Sequence, residues 1–252
     1  MSTEVRTKVD DGVALLTVSN PERRNAMNLD LAGKLVSALD EAVADPAVGA
    51  IVITGEPPAF CAGGDLAELQ SADPATLRRV YSGFLAVANC PLPTLAAVNG
   101  AAVGAGLNLA LACDVRLAGP GAKFDARFMQ LGLHPGGGYT WMAQRAIGAQ
   151  AAAALTLFCD VLDATEAERV GLVYRRYDDD EALLAGAHEL ASRAASASRS
   201  LIETTKATMR ITSGTVSHAE ATEIEVRAQA ASVHSEDFKQ RVTALQKRIS
   251  KR

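Results

Sequence analysis

Two short stretches hold the residues best suited to chemistry. Phe60-Cys61-Ala62-Gly63-Gly64-Asp65-Leu66 and Val98-Asn99-Gly100-Ala101-Ala102-Val103-Gly104-Ala105-Gly106-Leu107-Asn108 are each an apolar run that stops in a glycine-rich turn and restarts as a helix. The first backbone N–H groups of a helix have no partner within it and point outward. Two such ends facing one another supply two N–H donors for a single oxygen, and both helix dipoles favour negative charge there. A carbonyl oxygen that gains charge as an enolate forms is what such a pocket stabilises. Taken singly, either turn is also explained by close packing of a helix on a strand.

The side chains near these turns offer few reactive groups. Asp65 opens a helix and reads as a cap for its exposed N–H groups rather than as a base. Asn99 and Asp114 read as turn-closing residues, and Asp125 with Arg127 as a surface ion pair. Cys61 has no histidine near it in sequence to make it a nucleophile. His134, before Pro135 in a loop, is either a solvated turn residue or an acid–base group titrating near neutrality. Gly63 and Gly64 leave a serine hydrolase without a nucleophile, and Gly104-x-Gly106 followed by Leu109 lacks the third glycine of a dinucleotide fingerprint. The histidines are scattered, so no metal site is expected.

These turns need strands and helices to hold them. Residues 13–18 form a short apolar run between Gly12 and Asn20-Pro21 and predict a strand. Asn28 predicts the cap of an amphipathic helix to about residue 44, with Leu31, Leu35, Val36, Leu39 and Val43 on one face. Residues 50–54 predict a buried strand feeding the first glycine turn, and Asp73-Pro74 the start of a helix to about residue 88. Residues 95–98 and 115–118 predict further strands, with helices over 107–112 and 139–147. Thr165-x-x-Glu168 predicts a capping box, closed by Gly171. Alternation of strand, turn and helix indicates an α/β fold. Beyond residue 181 only helical stretches follow, at 181–197, 201–211, 218–231 and 235–250.

A chain of 252 residues is one large domain or two small ones. Lys+Arg 25 against Asp+Glu 29 gives a net charge of −4, without the positive field that nucleic acid or an anionic membrane requires. No charged residue occurs between Tyr81 and Cys113, yet Pro91, Pro93, Gly100, Gly104 and Gly106 interrupt that run too often for a membrane span. The residues from Met1 to Arg6 mix charges without an apolar run, so no secretory signal is expected. Cys61, Cys90, Cys113 and Cys159 form no CxxC and read as buried small hydrophobes of a reducing, cytoplasmic compartment.

The match to known sequences extends well past the two turns. Asn20-Pro21-Glu22-Arg23-Arg24-Asn25-Ala26-Met27-Asn28, Pro93-Thr94-Leu95-Ala96-Ala97-Val98-Asn99-Gly100, Cys113-Asp114-Val115-Arg116-Leu117-Ala118, Leu131-Gly132-Leu133-His134-Pro135-Gly136-Gly137-Gly138 and residues 164–173 follow in order. Over roughly residues 11–247 the chain resembles the enoyl-CoA hydratase/isomerase, or crotonase, family. The resemblance implies an α/β fold, a crotonase-like ββα spiral over residues 1–190 with the acyl-CoA site, and a helical oligomerisation region over 191–252. It further implies a homotrimer or a hexamer made of two trimers.

The same resemblance places the oxyanion donors at the backbone N–H groups of Ala62 and Ala105. Hydratases of the family use two glutamates to split water across the enoyl double bond; the corresponding positions here are Asn108 and Phe128. Asparagine can hold water but cannot take its proton, and phenylalanine can do neither. The aspartate of the family's dehalogenases and dienoyl-CoA isomerases corresponds to Gly136. Arg24, Ala26, Ala62, Asp65 and Leu66 are expected in the coenzyme A groove. Lys247, with Arg248, Lys251 and Arg252, either meets coenzyme A phosphates in a neighbouring subunit or forms a solvated basic helix end. Phe84, Leu131 and Trp141 are candidates for shaping the acyl pocket. The expectation is an enoyl-CoA hydratase/isomerase-like protein of fatty-acid metabolism acting on acyl-CoA thioesters. Coenzyme A is then part of the substrate, with no separate cofactor, metal, nucleic acid or membrane partner. Loss of both glutamates leaves two alternatives: a non-catalytic acyl-CoA-binding protein, or a different enolate chemistry such as isomerisation.

Overall fold

The computed structural model describes residues 3–214 and 216–249; Met1, Ser2, Thr215, Ser250, Lys251 and Arg252 lie outside the described residues. The chain runs β1 (Glu4–Asp10), β2 (Val13–Ser19), α1 (Leu29–Ala44), β3 (Ala50–Gly55), β4 (Ala59–Cys61), α2 (Leu66–Gln70), α3 (Pro74–Asn89), β5 (Thr94–Val98), β6 (Ala101–Val103) and α4 (Ala105–Ala112). It continues with β7 (Val115–Ala118), β8 (Lys123–Asp125), α5 (Tyr139–Leu157), β9 (Val161–Asp163), α6 (Ala164–Arg169), β10 (Arg175–Arg176) and α7 (Asp180–Ala195). Three further helices follow: α8 (Arg199–Thr212), α9 (His218–Ser232) and α10 (Glu236–Ile249). Among the described residues no helix is long and apolar enough to cross a membrane.

A six-stranded sheet has the order β1-β2-β3-β5-β7-β10, and a four-stranded sheet the order β4-β6-β8-β9. β1 and β2 pair antiparallel, as do β8 and β9; the other pairs are parallel. Because β3, β5 and β7 lie side by side in one sheet and β4, β6 and β8 in the other, each successive strand pair steps between sheets before helix or loop returns the chain. This is the ββα spiral expected from the resemblance.

Strand periodicity divides the large sheet's side chains between two faces. Leu16, Val18, Ile51, Ile53, Ala96 and Val98 join Leu31, Leu35 and Leu39 of α1 in one core. Val13, Val52, Leu95, Ala97 and Leu117 pack with Leu183, Ala187 and Ala191 of α7 in a second. Strands covered on both faces read as near-continuous apolar runs, so β2, β3 and β5 stand out in the sequence, while β7 shows only Val115, Leu117 and Ala118 around Arg116. β1 does not: its residues 6–10 are exposed and charged or polar at most positions. The three-residue strands β4, β6, β8 and β9 are too short to show a period and merge with the turns beside them.

Other expectations shift by local chemistry. The helix predicted from residue 107 begins at Ala105, because Gly104 (φ 50°) turns the chain two residues sooner. The helix predicted to end near residue 147 does break at Gly148 (φ 74°) but resumes to Leu157. The cap assigned to Thr165 belongs to Asp163, whose carboxylate accepts the Glu166 N–H at 2.9 Å. Asn28 and Asp73 cap α1 and α3 as predicted.

The chain divides into compact units at residues 1–195 and 196–252. The boundary expected at residue 190 falls inside α7, whose buried stripe of Leu183, Ala187 and Ala191 keeps the whole helix with the first unit. The second unit contains α8, α9 and α10. α9 opens with a capping box in which the Ser217 hydroxyl accepts the Glu220 N–H at 3.2 Å and the Glu220 carboxylate accepts the Ser217 N–H at 2.7 Å.

Candidate active site

The first glycine turn is held by a loop from early in the chain. Arg24 (φ 50°) and Asn25 (φ 61°) adopt left-handed backbone, and buried Asn25 ties the loop down. Its amide donates to the Glu56 and Ala59 carbonyls at 2.7 and 2.8 Å, while its Oδ1 accepts the Asn20 N–H at 3.0 Å. The loop then pairs with the turn. The Ala62 N–H donates to the Arg24 carbonyl (3.0 Å), the Met27 N–H to the Gly63 carbonyl (2.7 Å), and the Asp65 N–H to the Met27 carbonyl (2.9 Å). The donor expected at Ala62 is therefore already engaged, and that assignment is corrected. Met27 and Gly64 form a parallel bridge in which Met27 bonds to Gly63 and Asp65 on either side, so the Gly64 N–H is directed away from it. Gly64 lines the adjoining cavity. Sequence reasoning did not single out this N–H.

The second turn ends at Gly104, whose N–H donates to the Asp125 carbonyl at 2.9 Å. Ala105 is the first residue of α4, so its N–H has no acceptor within the helix. The two turns touch through Gly106: a Cβ there would lie 2.0 Å from the Cys61 carbonyl oxygen. Only glycine lets the start of α4 approach the end of β4 this closely.

Gly64 and Ala105 share a cavity of about 450 Å³. Its described lining contains no carboxylate; the titratable side chains are Tyr81, Arg127 and His134. Asn108, 2% exposed, donates through Nδ2 to the Gly136 carbonyl at 3.0 Å, and its Oδ1 is buried without a hydrogen-bond partner. Phe128 is buried with its ring 5.1 Å from that of Tyr139. His134 is exposed, with Nδ1 2.7 Å from the Pro135 carbonyl. A carbonyl only accepts, so Nδ1 bears the hydrogen and the neutral ring presents Nε2 as its basic atom.

Asp125 and Arg127 do pair, but not as the surface pair expected. Asp125 is 2% exposed and takes two bonds on Oδ2 from the guanidinium, one from Nε at 2.8 Å and one from Nη2. Those bonds hold the Arg127 proton more firmly than usual. Arg127 itself has φ 58°, a left-handed conformation uncommon outside glycine. Burial pushes the Cys61 thiol up to about 11, which fits an unreactive core residue. Asp65 is the cap expected: its Oδ1 accepts the Ala67 N–H at 2.9 Å. Asn99 and Asp114 also close turns as expected, Asn99 bonding both the N–H and the carbonyl of Gly55 and Asp114 the Thr94 N–H.

Comparison with known proteins decides the family. The enoyl-CoA hydratase/isomerase family model matches residues 8–251. The chain belongs to the enoyl-CoA hydratase/isomerase family. It is 51% identical over 253 residues to the "Probable enoyl-CoA hydratase EchA14" of Mycobacterium tuberculosis, covering 97% of this chain and 98% of that one. It is 34% identical over 185 residues to the 1,2-epoxyphenylacetyl-CoA isomerase of Escherichia coli, covering 70% of each. The crystal structure of an enoyl-CoA hydratase from Polaromonas sp. superposes with a TM-score of 0.90 at 27% identity, covering 97% of both chains.

In this enoyl-CoA hydratase/isomerase family member, the two positions at which the resemblance expects hydratase glutamates, Asn108 and Phe128, both lie on the cavity wall. Of the three acyl-pocket candidates, Leu131 lines the cavity. Phe84 is fully buried in the core, and Trp141 is 57% exposed with the Arg145 guanidinium 3.7 Å above its ring; neither is in the lining. Among the groove residues, Ala62 and exposed Leu66 line the cavity, Arg24 is exposed, Ala26 is buried, and Asp65 faces Arg23 at 3.7 Å. Lys247 is an exposed residue of α10 in the second unit. Tyr81 was not foreseen. Its signal was the spacing Leu77, Val80, Tyr81 at i, i+3 and i+4, which puts one face of α3 on the cavity.

Proposed function

We propose that this protein binds acyl-CoA thioesters with the thioester oxygen between the Gly64 and Ala105 N–H groups, and carries out enolate chemistry without adding water. The observation that carries this reading is a cavity bordered by two backbone donors and lined by no carboxylate. Donors fixed in place before reaction stabilise the charge that develops on the oxygen, each contributing on the order of 10²-fold or more to rate. The proton carriers left are His134, through Nε2, and Tyr81, and a proton shift at carbon needs no bound water. Coenzyme A is part of the substrate on this reading, and fatty-acid metabolism is its setting, as the family and the names of its relatives suggest. Assembly as a trimer or a hexamer and a cytoplasmic location belong to the same proposal.

The test is incubation with crotonyl-CoA and a 3-enoyl-CoA in heavy water, followed by mass spectrometry. Deuterium uptake or double-bond migration without a gain of water supports the proposal. Rapid hydration overturns it. Tight binding with neither change overturns its catalytic half and identifies a non-catalytic acyl-CoA binder.

A further inference from the structure

Tyr81 occupies space that residue 136 leaves free. A Cβ built on Gly136 would lie 2.2 Å from the Tyr81 hydroxyl oxygen and 3.0 Å from its Cζ, so any side chain at 136 would displace the phenol from the cavity wall. Backbone conformation does not demand glycine there, since Gly136 has no left-handed φ. Two contacts fix the arrangement. The Tyr81 ring lies 5.5 Å from that of fully buried Phe84, and the Asn108 amide holds the Gly136 carbonyl at 3.0 Å.

The hydroxyl itself is bonded to none of the described residues, and it shares the cavity with Gly64 and Ala105. The charged or titratable groups facing the same space are His134 and Arg127, the latter paired to Asp125. Burial raises the phenol's pKa, so at neutral pH the hydroxyl holds a proton that it can give.

We propose that the Tyr81 hydroxyl is the acid of this site, delivering a proton to the carbon next to the thioester carbonyl as the enolate collapses. The inference rests on the thioester reading proposed for the cavity. In this step the Tyr81 O–H bond breaks and a C–H bond forms, while the enolate electron pair restores the C=O bond. The charge passes to the phenolate, which recovers a proton from water or from His134 in its imidazolium form. His134 Nε2 is the group that removes the carbon-bound proton in the forward direction.

The experiment measures exchange of the α-protons of butyryl-CoA in heavy water by mass spectrometry, as a function of pH. It compares the wild-type protein, Tyr81→Phe, Gly136→Ala and the double variant. Tyr81→Phe keeps the ring on Phe84 and should lower the exchange rate about 10²-fold, with little change in KM. Gly136→Ala should lose a similar factor, and the double variant no more than Tyr81→Phe alone, because both changes act through one hydroxyl. The alkaline fall in rate of the wild type should vanish from the residual rate of Tyr81→Phe. Wild-type exchange with Tyr81→Phe unaffected, impaired only in KM, or adding its loss to that of Gly136→Ala overturns the assignment of Tyr81 alone. A wild-type protein that binds butyryl-CoA but exchanges nothing overturns this assignment together with the enolate reading.

Discussion

Asn108→Glu restores the side chain that a hydratase of this family would carry, and the structure indicates that it will not restore hydration. Asn108 is 2% exposed and donates to the Gly136 carbonyl at 3.0 Å. An ionised glutamate has only acceptors, so it would abandon that carbonyl and face it with like polarity. Were the glutamate ionised, the loss of that donor would cost up to about 1–3 kcal/mol. Arg127, the arginine on the described cavity wall, is already engaged by Asp125. Without a free counter-charge, burial favours the protonated acid, whose O–H can still donate to the Gly136 carbonyl but which cannot take a proton from water.

Hydration also needs a second proton-transfer group, and buried Phe128 supplies none. A missing acid–base group costs about 10²–10⁴-fold. The expected outcome is a gain in crotonyl-CoA hydration of less than about tenfold, well below the worth of one such group. Because the protonated acid keeps a donor for the Gly136 carbonyl, thermal unfolding should fall by no more than a few degrees, at about 2–4 °C per kcal/mol for a unit of this size. Water addition read by mass spectrometry, with unfolding measured on the same preparation, separates poor chemistry from poor folding. A gain of about 10²-fold or more in a folded variant would refute the two-carboxylate argument.

Three further outcomes follow from individual contacts. Gly106→Ala sets a methyl 2.0 Å from the Cys61 carbonyl oxygen, and backbone cannot swing aside as a side chain can. It should cost about 1–3 kcal/mol and weaken acyl-CoA binding measured by calorimetry, and unchanged affinity would count against the two-turn site. The buried Cys61 thiol is raised from 9.0 to about 11, so the unfolded chain ionises first. Stability from the neutral thiol is complete below pH 9 and is lost as pH rises towards 11, by about 3 kcal/mol at most. Cys61→Ala should remove that slope from denaturant unfolding at alkaline pH, whereas equal slopes in both proteins would refute it. Arg127→Ala and Arg127→Gly both strand the buried Asp125 carboxylate, but only glycine relieves the φ of 58°. Arg127→Ala should therefore be the less stable by about 1 kcal/mol, and equal stabilities would show that the left-handed backbone carries no strain.

What the sequence made legible follows from how local each signal is. Asn28, Asp65 and Asp73 act on N–H groups two or three residues away, and each caps the helix expected of it. The apolar strands β3 and β5 announce themselves because both faces are covered, and the C-terminal helices keep close to their expected limits. Phe84 and Tyr81 show where this stops. Both lie on α3, and a helical period brings both to its apolar side, yet one is sealed in the core and the other opens on the cavity. That difference of about 60° around the helix depends on where the loop carrying Gly136 lies, and nothing near residue 81 encodes the loop's position.

The backbone donor proposed at the first turn makes the same point more sharply. A glycine turn before a helix shows that unpaired N–H groups exist, and the sequence locates them to within a few residues. Which one stays free is decided by a competitor: the carbonyl of Arg24, brought to the turn by a loop whose shape depends on Asn25 bonding to Glu56 and Ala59. Arg24 takes the Ala62 N–H, and Met27 bonds to Gly63 and Asp65, so the N–H left for the cavity is that of Gly64. On the thioester reading, the loop that resembles a substrate-groove segment would also set which N–H faces the cavity. Asn25→Ala removes four polar contacts from a fully buried site and frees the loop to shift, so it should weaken thioester binding although no atom of Asn25 lines the cavity. If acyl-CoA affinity, measured on folded protein, is unchanged in that variant, the turn holds its geometry unaided and the loop has no part in choosing the donor.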